Sequence, residues 1–343
     1  MCPAPVRPKR AAVPAAPVAE ARRAPAAPAT TAAAPVDGFQ PVKSAPYAPL
    51  AALGNFDSYV RTVSGVDVYV RIRQGRSAAS TPPLVFLDGL NGAAARSKGL
   101  DELVEKDGVT LVSIALIGQG ETLAKDVEAT GGRSVDEDVD PQAQVKLVLE
   151  TLDQLGVKGP VDLAGLSYGG GIAALVKKQA PERVNRLLLA APYTVTAMEH
   201  DPVRFAMGEL LNHNPFNPLG PAIYRATVRA TLAAGTLPPA PIRNPRQVLA
   251  FHEAIFRMTM GMERFRLTDA VKDLDDVHVL TVPFDPIVPP AIAHEQTRSA
   301  SSVSHSEASL WDTATHDLID WRPKTLVDWM RKVLGGEIAA KRR

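Results

Sequence analysis

Ser167 stands in the segment Gly165-Leu166-Ser167-Tyr168-Gly169, directly after the short apolar run 160–164 and directly before a helical pattern. A serine between two glycines at a strand-to-helix junction has a particular use, because a sharp turn there holds the hydroxyl clear above the sheet. The glycines serve a steric end, since such a turn brings strand and helix backbones close together. Gly170 and Gly171 extend the clearance. Gly-x-Ser-x-Gly alone is a short pattern, and its weight comes from its place between a buried strand and a helix. A serine hydroxyl attacks a carbonyl only when a base takes its proton, and the base needs a third group to fix its tautomer. Two downstream residues are placed for these tasks. Asp285 closes the apolar run 277–284 and precedes the rigid turn Pro286-Ile287-Val288-Pro289; His316 lies in the loop 313–318, before the last helical pattern. The order is Ser, Asp, His, and each member occupies a strand-to-helix connection.

Other candidates are weaker. His200 and Asp201 are adjacent, and side chains one apart on a helix do not face each other. His213, His252, His278 and His294 read as surface or packing residues, and His305 falls within an expected strand. Asp317 neighbours His316 but would point elsewhere, which leaves Asp285 as the acid. Gly118-Gln119-Gly120 follows a strand, yet neither a full dinucleotide fingerprint nor a phosphate loop accompanies it. No His/Asp/Glu cluster has metal-ligand spacing. No organic cofactor and no metal is expected.

The elements that must position these residues follow from hydrophobic pattern. Residues 58–64 and 66–73 alternate apolar with polar around Gly65, the period of half-exposed hairpin strands. The runs 83–89, 109–116, 160–165 and 184–191 are nearly continuous apolar, as strands buried on both faces of a parallel sheet are. Helical patterns lie between them at 97–106, 141–155 and 169–180; the second starts with Asp140 as N-cap and Pro141 at the first helical position. After Ala191 the alternation stops, and 203–213, 222–235 and 246–265 read as consecutive helices. It resumes with a strand at 277–284, a helix from 290 to about 298, a strand near 303–311 and a helix over 322–334. The expected class is α/β: a mostly parallel twisted sheet flanked by helices, with an inserted helical block.

The segments GLSYGG, PFDPIVPP and THDL resemble those of the α/β-hydrolase superfamily over roughly residues 58–334. The resemblance implies a serine hydrolase, with the block at 195–270 as its cap or lid. It also implies an oxyanion hole at the backbone amides of Leu90 and Tyr168. One departure stands out: where that superfamily commonly has His-Gly after the first buried strand, this chain has Asp88-Gly89. Backbone donors survive such a change, but an ionised carboxylate aimed at a developing oxyanion would oppose it. Asp88 is therefore expected either to bond nearby backbone or to tune the reaction. Superfamily membership leaves the substrate open.

The expected division is an Ala/Pro-rich disordered arm at 1–50, a core at 51–194 and 271–335, the cap at 195–270 and a basic tail at 336–343. The arm has too little apolar surface to offset the entropy of ordering it. The net charge of +1 over 343 residues excludes a strongly basic nucleic-acid face. No apolar run reaches the length of a membrane span. The chain reads as cytoplasmic; Cys2 ahead of an Ala/Pro tether would alternatively suit a lipid-anchored or exported protein lacking its signal peptide. The cap is rich in Met and Phe: Phe205, Met207, Phe251, Phe256, Met258, Met260, Met262 and Phe265. These side chains either glue the cap to the core or line a pocket for an apolar acyl group. The expected activity is hydrolysis of a small-to-medium apolar carboxylic ester, a small-molecule substrate, through an acyl-enzyme. The alternatives are a catalytically weak or inactive ligand-binding protein, or the same triad turned to amide, thioester or carbon–carbon cleavage.

Overall fold

The two alternating segments pair as an antiparallel hairpin, β1 (Phe56–Arg61) and β2 (Asp67–Arg73). The continuous apolar runs become β3 (Leu84–Leu87), β4 (Leu111–Ile114), β5 (Val161–Leu166), β6 (Val184–Ala190) and β7 (Val277–Thr281), followed by β8 (Ser302–Glu307). The computed structural model describes residues 46–76, 78–132, 139–194, 218–285, 287–309 and 316–342. Within them the strands form one sheet in the order β1-β2-β4-β3-β5-β6-β7-β8, closed at its far edge by the short β9 (Lys341–Arg342). Strands β3 to β8 are mutually parallel, and β2 and β9 join antiparallel. β5, which leads directly into Ser167, is central, between β3 and β6.

Alternate residues of each parallel strand enter different cores, as the two-residue period of a strand requires. Val85, Leu87, Leu163, Leu187 and Val279 join one cluster; Leu84, Phe86, Ala164, Leu188 and Leu280 join the other. The first face is covered by α4 (Pro141–Gln154) and α5 (Tyr168–Gln179), which contribute Val145, Val148, Leu152, Ile172 and Val176. The second is covered by α11 (Pro323–Leu334), whose Leu326, Val327, Met330 and Val333 follow helical spacing and are all buried. Each such side chain contributes roughly 1.5–3 kcal/mol on burial. The start of α4 is as expected: Asp140 accepts a hydrogen bond from the Gln142 N–H at 2.8 Å, with Pro141 in the first turn.

The region after β6 contains α6 (Gly220–Gly235) and α7 (Pro245–Gly261), close to two of the expected helices; the third, 203–213, lies outside the described residues. A reciprocal cap begins α7: Asn244 Oδ1 accepts from the Gln247 N–H and Gln247 Oε1 accepts from the Asn244 N–H. Its apolar face, with Phe251, Ala254, Ile255 and Met258, runs into the main core together with Met262 and Phe265. The short helix α8 (Leu267–Val271) straddles the expected cap boundary at 270 and packs into that same core.

Three other differences from the sequence expectation have physical reasons. The arm was expected to reach residue 50, but Tyr47 and Leu50, at and just before α1 (Ala48–Ala52) or within it, are buried, and the Tyr47 hydroxyl donates to the Pro160 carbonyl at 2.5 Å. A helix not expected at all, α3 (Gly120–Thr130), follows β4; only Leu123 and Val127 among its large apolar side chains are buried, so its periodicity is faint. In the expected basic tail, Lys341 and Arg342 pair with Val303 and Ser302 at the sheet edge. No helix among the described residues is long and apolar enough to cross a membrane.

Candidate active site

Ser167 occupies the turn between β5 and α5 with φ +51° and ψ −118°, a conformation that L-residues rarely adopt. The turn closes because its neighbours have no side chain. A Cβ on Gly165 would collide with the Gly169 carbonyl, and a Cβ on Gly169 would collide with the carbonyl oxygens of Leu87 and Asp88. The Ser167 N–H donates to the Ala190 carbonyl of β6 at 3.0 Å, and its own carbonyl accepts from Tyr193 at 2.9 Å and Gly171 at 3.2 Å. Held on three sides, the strained residue keeps its hydroxyl at the carboxyl end of the sheet.

His316 reaches this hydroxyl. Its Nε2 lies 2.7 Å from Ser167 Oγ, and its Nδ1 lies 2.7 Å from Asp285 Oδ2. With a proton on Nδ1, the ring donates to Asp285 and can accept the serine proton at Nε2. Asp285 follows β7 and its side chain is fully buried. Its second oxygen, Oδ1, accepts from the Ile287 N–H at 2.8 Å and the Val288 N–H at 2.9 Å. Those two amides fix the carboxylate's rotamer, and so the direction from which it meets the imidazole. The three residues found by motif and chain position are thus brought together in one hydrogen-bonded series.

The loop after β3 lies alongside: a Cβ on Gly89 would be 3.5 Å from that of Ser167. Of the two roles expected for Asp88, bonding to nearby backbone is what the structure contains. Asp88 is buried, and its oxygens accept from the Gly89 N–H at 2.7 Å and the Ala93 N–H at 3.3 Å, with Arg96 Nη1 at 3.1 Å. Burial pushes its carboxyl up to about 6, while Arg96 and the Gly89 amide pull the other way. Tyr168 is the first residue of α5, so its N–H has no acceptor within the helix. Its side chain is buried, with the hydroxyl 3.5 Å from Gln144 Nε2.

Two residues at this site escaped sequence reasoning. Arg96 contacts Asp88, Asp317 and Asp320 together. Gln119 is fully buried and donates to the carbonyls of Gly89 at 2.6 Å and Asp88 at 3.2 Å. The first has no signature among small residues; the second had one, a polar residue between two glycines directly after a buried strand. The remaining histidines are elsewhere. His278 is buried between Ser304 and Asp276, the tilted rings of His294 and His305 lie 4.5 Å apart, and His252 follows Phe251 on α7. His200, Asp201 and His213 lie outside the described residues.

Comparison with known proteins bears on the family and the fold. A sequence model described as "Alpha/beta hydrolase family" matches residues 84–329, which spans β3 to α11. The chain belongs to the alpha/beta hydrolase family. No curated protein sequence matches this hydrolase. Among solved structures, an esterase from Exiguobacterium antarcticum is similar with a TM-score of 0.55 at 17% identity, over 82% of this chain and 100% of that one. An enol-lactonase from Burkholderia xenovorans is similar with a TM-score of 0.56 at 13% identity, over 81% of this chain and 99% of that one. A thermophilic esterase from Thermogutta terrifontis is similar with a TM-score of 0.54 at 18% identity, over 81% and 99%. At these identities the likeness is one of fold.

Six of the eight Met and Phe side chains in the region expected to be a cap are described, and all six are buried. A Cβ on Gly171 of α5 would meet Met262 Cε at 2.9 Å, one on Gly118 would meet Met258 Sδ at 2.8 Å, and Phe265 packs on Tyr193 at 5.8 Å between rings. These contacts join α7 and the residues after it to the loop after β4, to α5 and to Tyr193 after β6. Phe256 is instead turned toward Tyr224 and Met260, with the Arg229 guanidinium 4.2 Å from its ring centre. Phe205 and Met207 lie outside the described residues.

Proposed function

We propose that this hydrolase cleaves a small-to-medium apolar carboxylic ester through an acyl-enzyme on Ser167. The observation that carries the reading is the position of His316, within 2.7 Å of Ser167 Oγ on one side and of Asp285 on the other. His316 Nε2 takes the Ser167 proton as Oγ bonds to the substrate carbonyl carbon. The carbonyl oxygen, now negative, is met by the N–H groups of Leu90 and Tyr168. Asp285 orients the imidazole and stabilises its charged form. The tetrahedral species collapses as the ester C–O bond breaks and the alcohol leaves with the proton from His316. Water then attacks the acyl-enzyme, gives its proton to His316, and the acid departs as Ser167 recovers the proton. No metal or organic cofactor enters this sequence of steps.

The apolar preference is drawn from the Met- and Phe-rich composition of the region 195–270, whose Met258 borders Gly118 in the loop after β4 and whose Met262 borders α5 at Gly171. Asp88 in place of the usual histidine is what would favour an inactive binder, and its engagement by Gly89, Ala93 and Arg96 weakens that alternative. The test is labelling by a fluorophosphonate probe, with Ser167→Ala as control, followed by aryl esters of increasing acyl length. Labelling of the parent that vanishes in Ser167→Ala supports the reading. An unlabelled parent, or labelling that survives the substitution, would overturn it.

A further inference from the structure

We propose that Gln119 is a positioning residue for the oxyanion hole: its carboxamide fixes the peptide that presents the Leu90 N–H. This rests on the serine-hydrolase reading above.

Gln119 Oε1 accepts from the Leu116 N–H at 3.0 Å. That contact requires an oxygen, so Nε2 is the atom that faces the carbonyls of Gly89 at 2.6 Å and Asp88 at 3.2 Å. The Gly92 N–H donates to the same Gly89 oxygen at 2.9 Å. In a trans peptide the carbonyl and the following N–H point in opposite directions, and the chain has no cis bonds among its described residues. Anchoring the Gly89 oxygen on Gln119 therefore turns the Leu90 N–H away from the interior side of the loop. Gly89 itself borders Ser167. The flanking glycines explain why a buried glutamine fits here. A Cβ on Gly120 would meet Ala93 Cβ of the oxyanion loop at 2.6 Å, and one on Gly118 would meet Met258 Sδ at 2.8 Å. Without them Gln119 could not approach the loop.

Two substitutions test the assignment. Gln119→Leu removes both donors at every pH. Losing an oxyanion donor outright costs about 100- to 1,000-fold, and the Gly92 bond remains, so kcat should fall about 10- to 100-fold with KM nearly unchanged. The affinity of an alkyl boronic acid, which forms a tetrahedral adduct on serine, should fall in step with kcat/KM. Gln119→Glu is more discriminating. A neutral carboxylic acid can donate to the Gly89 oxygen and accept from Leu116; a carboxylate still accepts from Leu116 but has no proton to donate, and it repels the two carbonyl oxygens it faces. The ratio of variant to parent kcat should be highest at low pH and fall as pH rises, a profile that a purely structural residue would not produce. Should Gln119→Leu fail to fold, Gln119→Glu at low pH carries the test. A flat ratio across pH, an unchanged kcat, or an effect confined to KM would overturn the role of Gln119. Failure of the parent to label with fluorophosphonate would instead sink the hydrolase reading itself, and this role with it.

Discussion

The guanidinium of Arg96 lies 3.1 Å from the carboxylate of Asp88 and 2.5 Å from that of Asp317, the residue next to His316. One cation therefore ties the loop after β3 to the loop that carries the imidazole. Asp320, in α10 (Leu318–Trp321), accepts from its Nε at 3.1 Å. Arg96→Met removes the cation beside the buried Asp88 carboxylate. Breaking a buried pair in this way costs roughly 3–5 kcal/mol, and kcat should fall about tenfold as His316 loses registration. Arg96→Lys keeps the charge but lacks the planar fork, and should fall between. Thermal unfolding and steady-state kinetics read both; a Met variant equal to the parent in both would show the link to be idle.

Asp285→Asn presents an amide where His316 needs an acceptor. The imidazole then takes the wrong tautomer, and kcat should drop by roughly 10⁴ with KM within a few-fold of the parent. A loss below tenfold on an aryl ester would remove Asp285 from the machinery.

The carboxyl of Asp88 is pushed by burial from 3.8 to about 6, against the pull of Arg96 and the Gly89 N–H. The folded state thus holds this proton more tightly than the unfolded chain does. The resulting stability is fully present below about pH 4 and is lost as pH rises through about 6. A rise of that size corresponds to roughly 3 kcal/mol. Asp88→Asn cannot ionise, so between pH 4 and 7 its stability relative to the parent should improve by up to that amount. Denaturant unfolding across this range measures it, and a difference that stays constant with pH would contradict the assignment.

Met262 is fully buried, with its terminal methyl against α5 at Gly171. Met262→Ala should cost about 2–5 kcal/mol through the cavity it leaves, while the preference among acyl chain lengths stays as in the parent. A shift of that preference toward longer acyl groups would mean that this side chain lines the substrate pocket instead.

Much of this architecture was legible in the amino-acid order. The parallel strands announce themselves because both faces are buried, which leaves no polar alternation to blur them: every residue of β3, β4, β5 and β7 is buried. Ser167 and Asp285 stand out as candidates because each follows such a strand, and His316 because it lies in the connection between the last parallel strand and the final helix. What escaped is polar and buried. α3 turns Glu121 and Thr122 inward, and the Glu121 carboxylate accepts from the Ala94 and Ala95 N–H groups at 3.0 Å each, so no apolar stripe marked the helix. Arg96 and Gln119 are engaged by residues remote in sequence, and such pairings have no period to detect. Tyr47 and Leu50 belong to a segment whose Ala and Pro content hid two side chains that the core uses.

The sheet's last rung has a bearing on what its far edge offers to another chain. A strand at an open edge offers unpaired amides and carbonyls to any other chain in extended form. Lys341 and Arg342 occupy that line beside Ser302 and Val303, with both long cationic side chains exposed. An extended chain pairing along Ser302 and Val303 would have to displace them, so this stretch of the edge is closed to another strand while they stay paired.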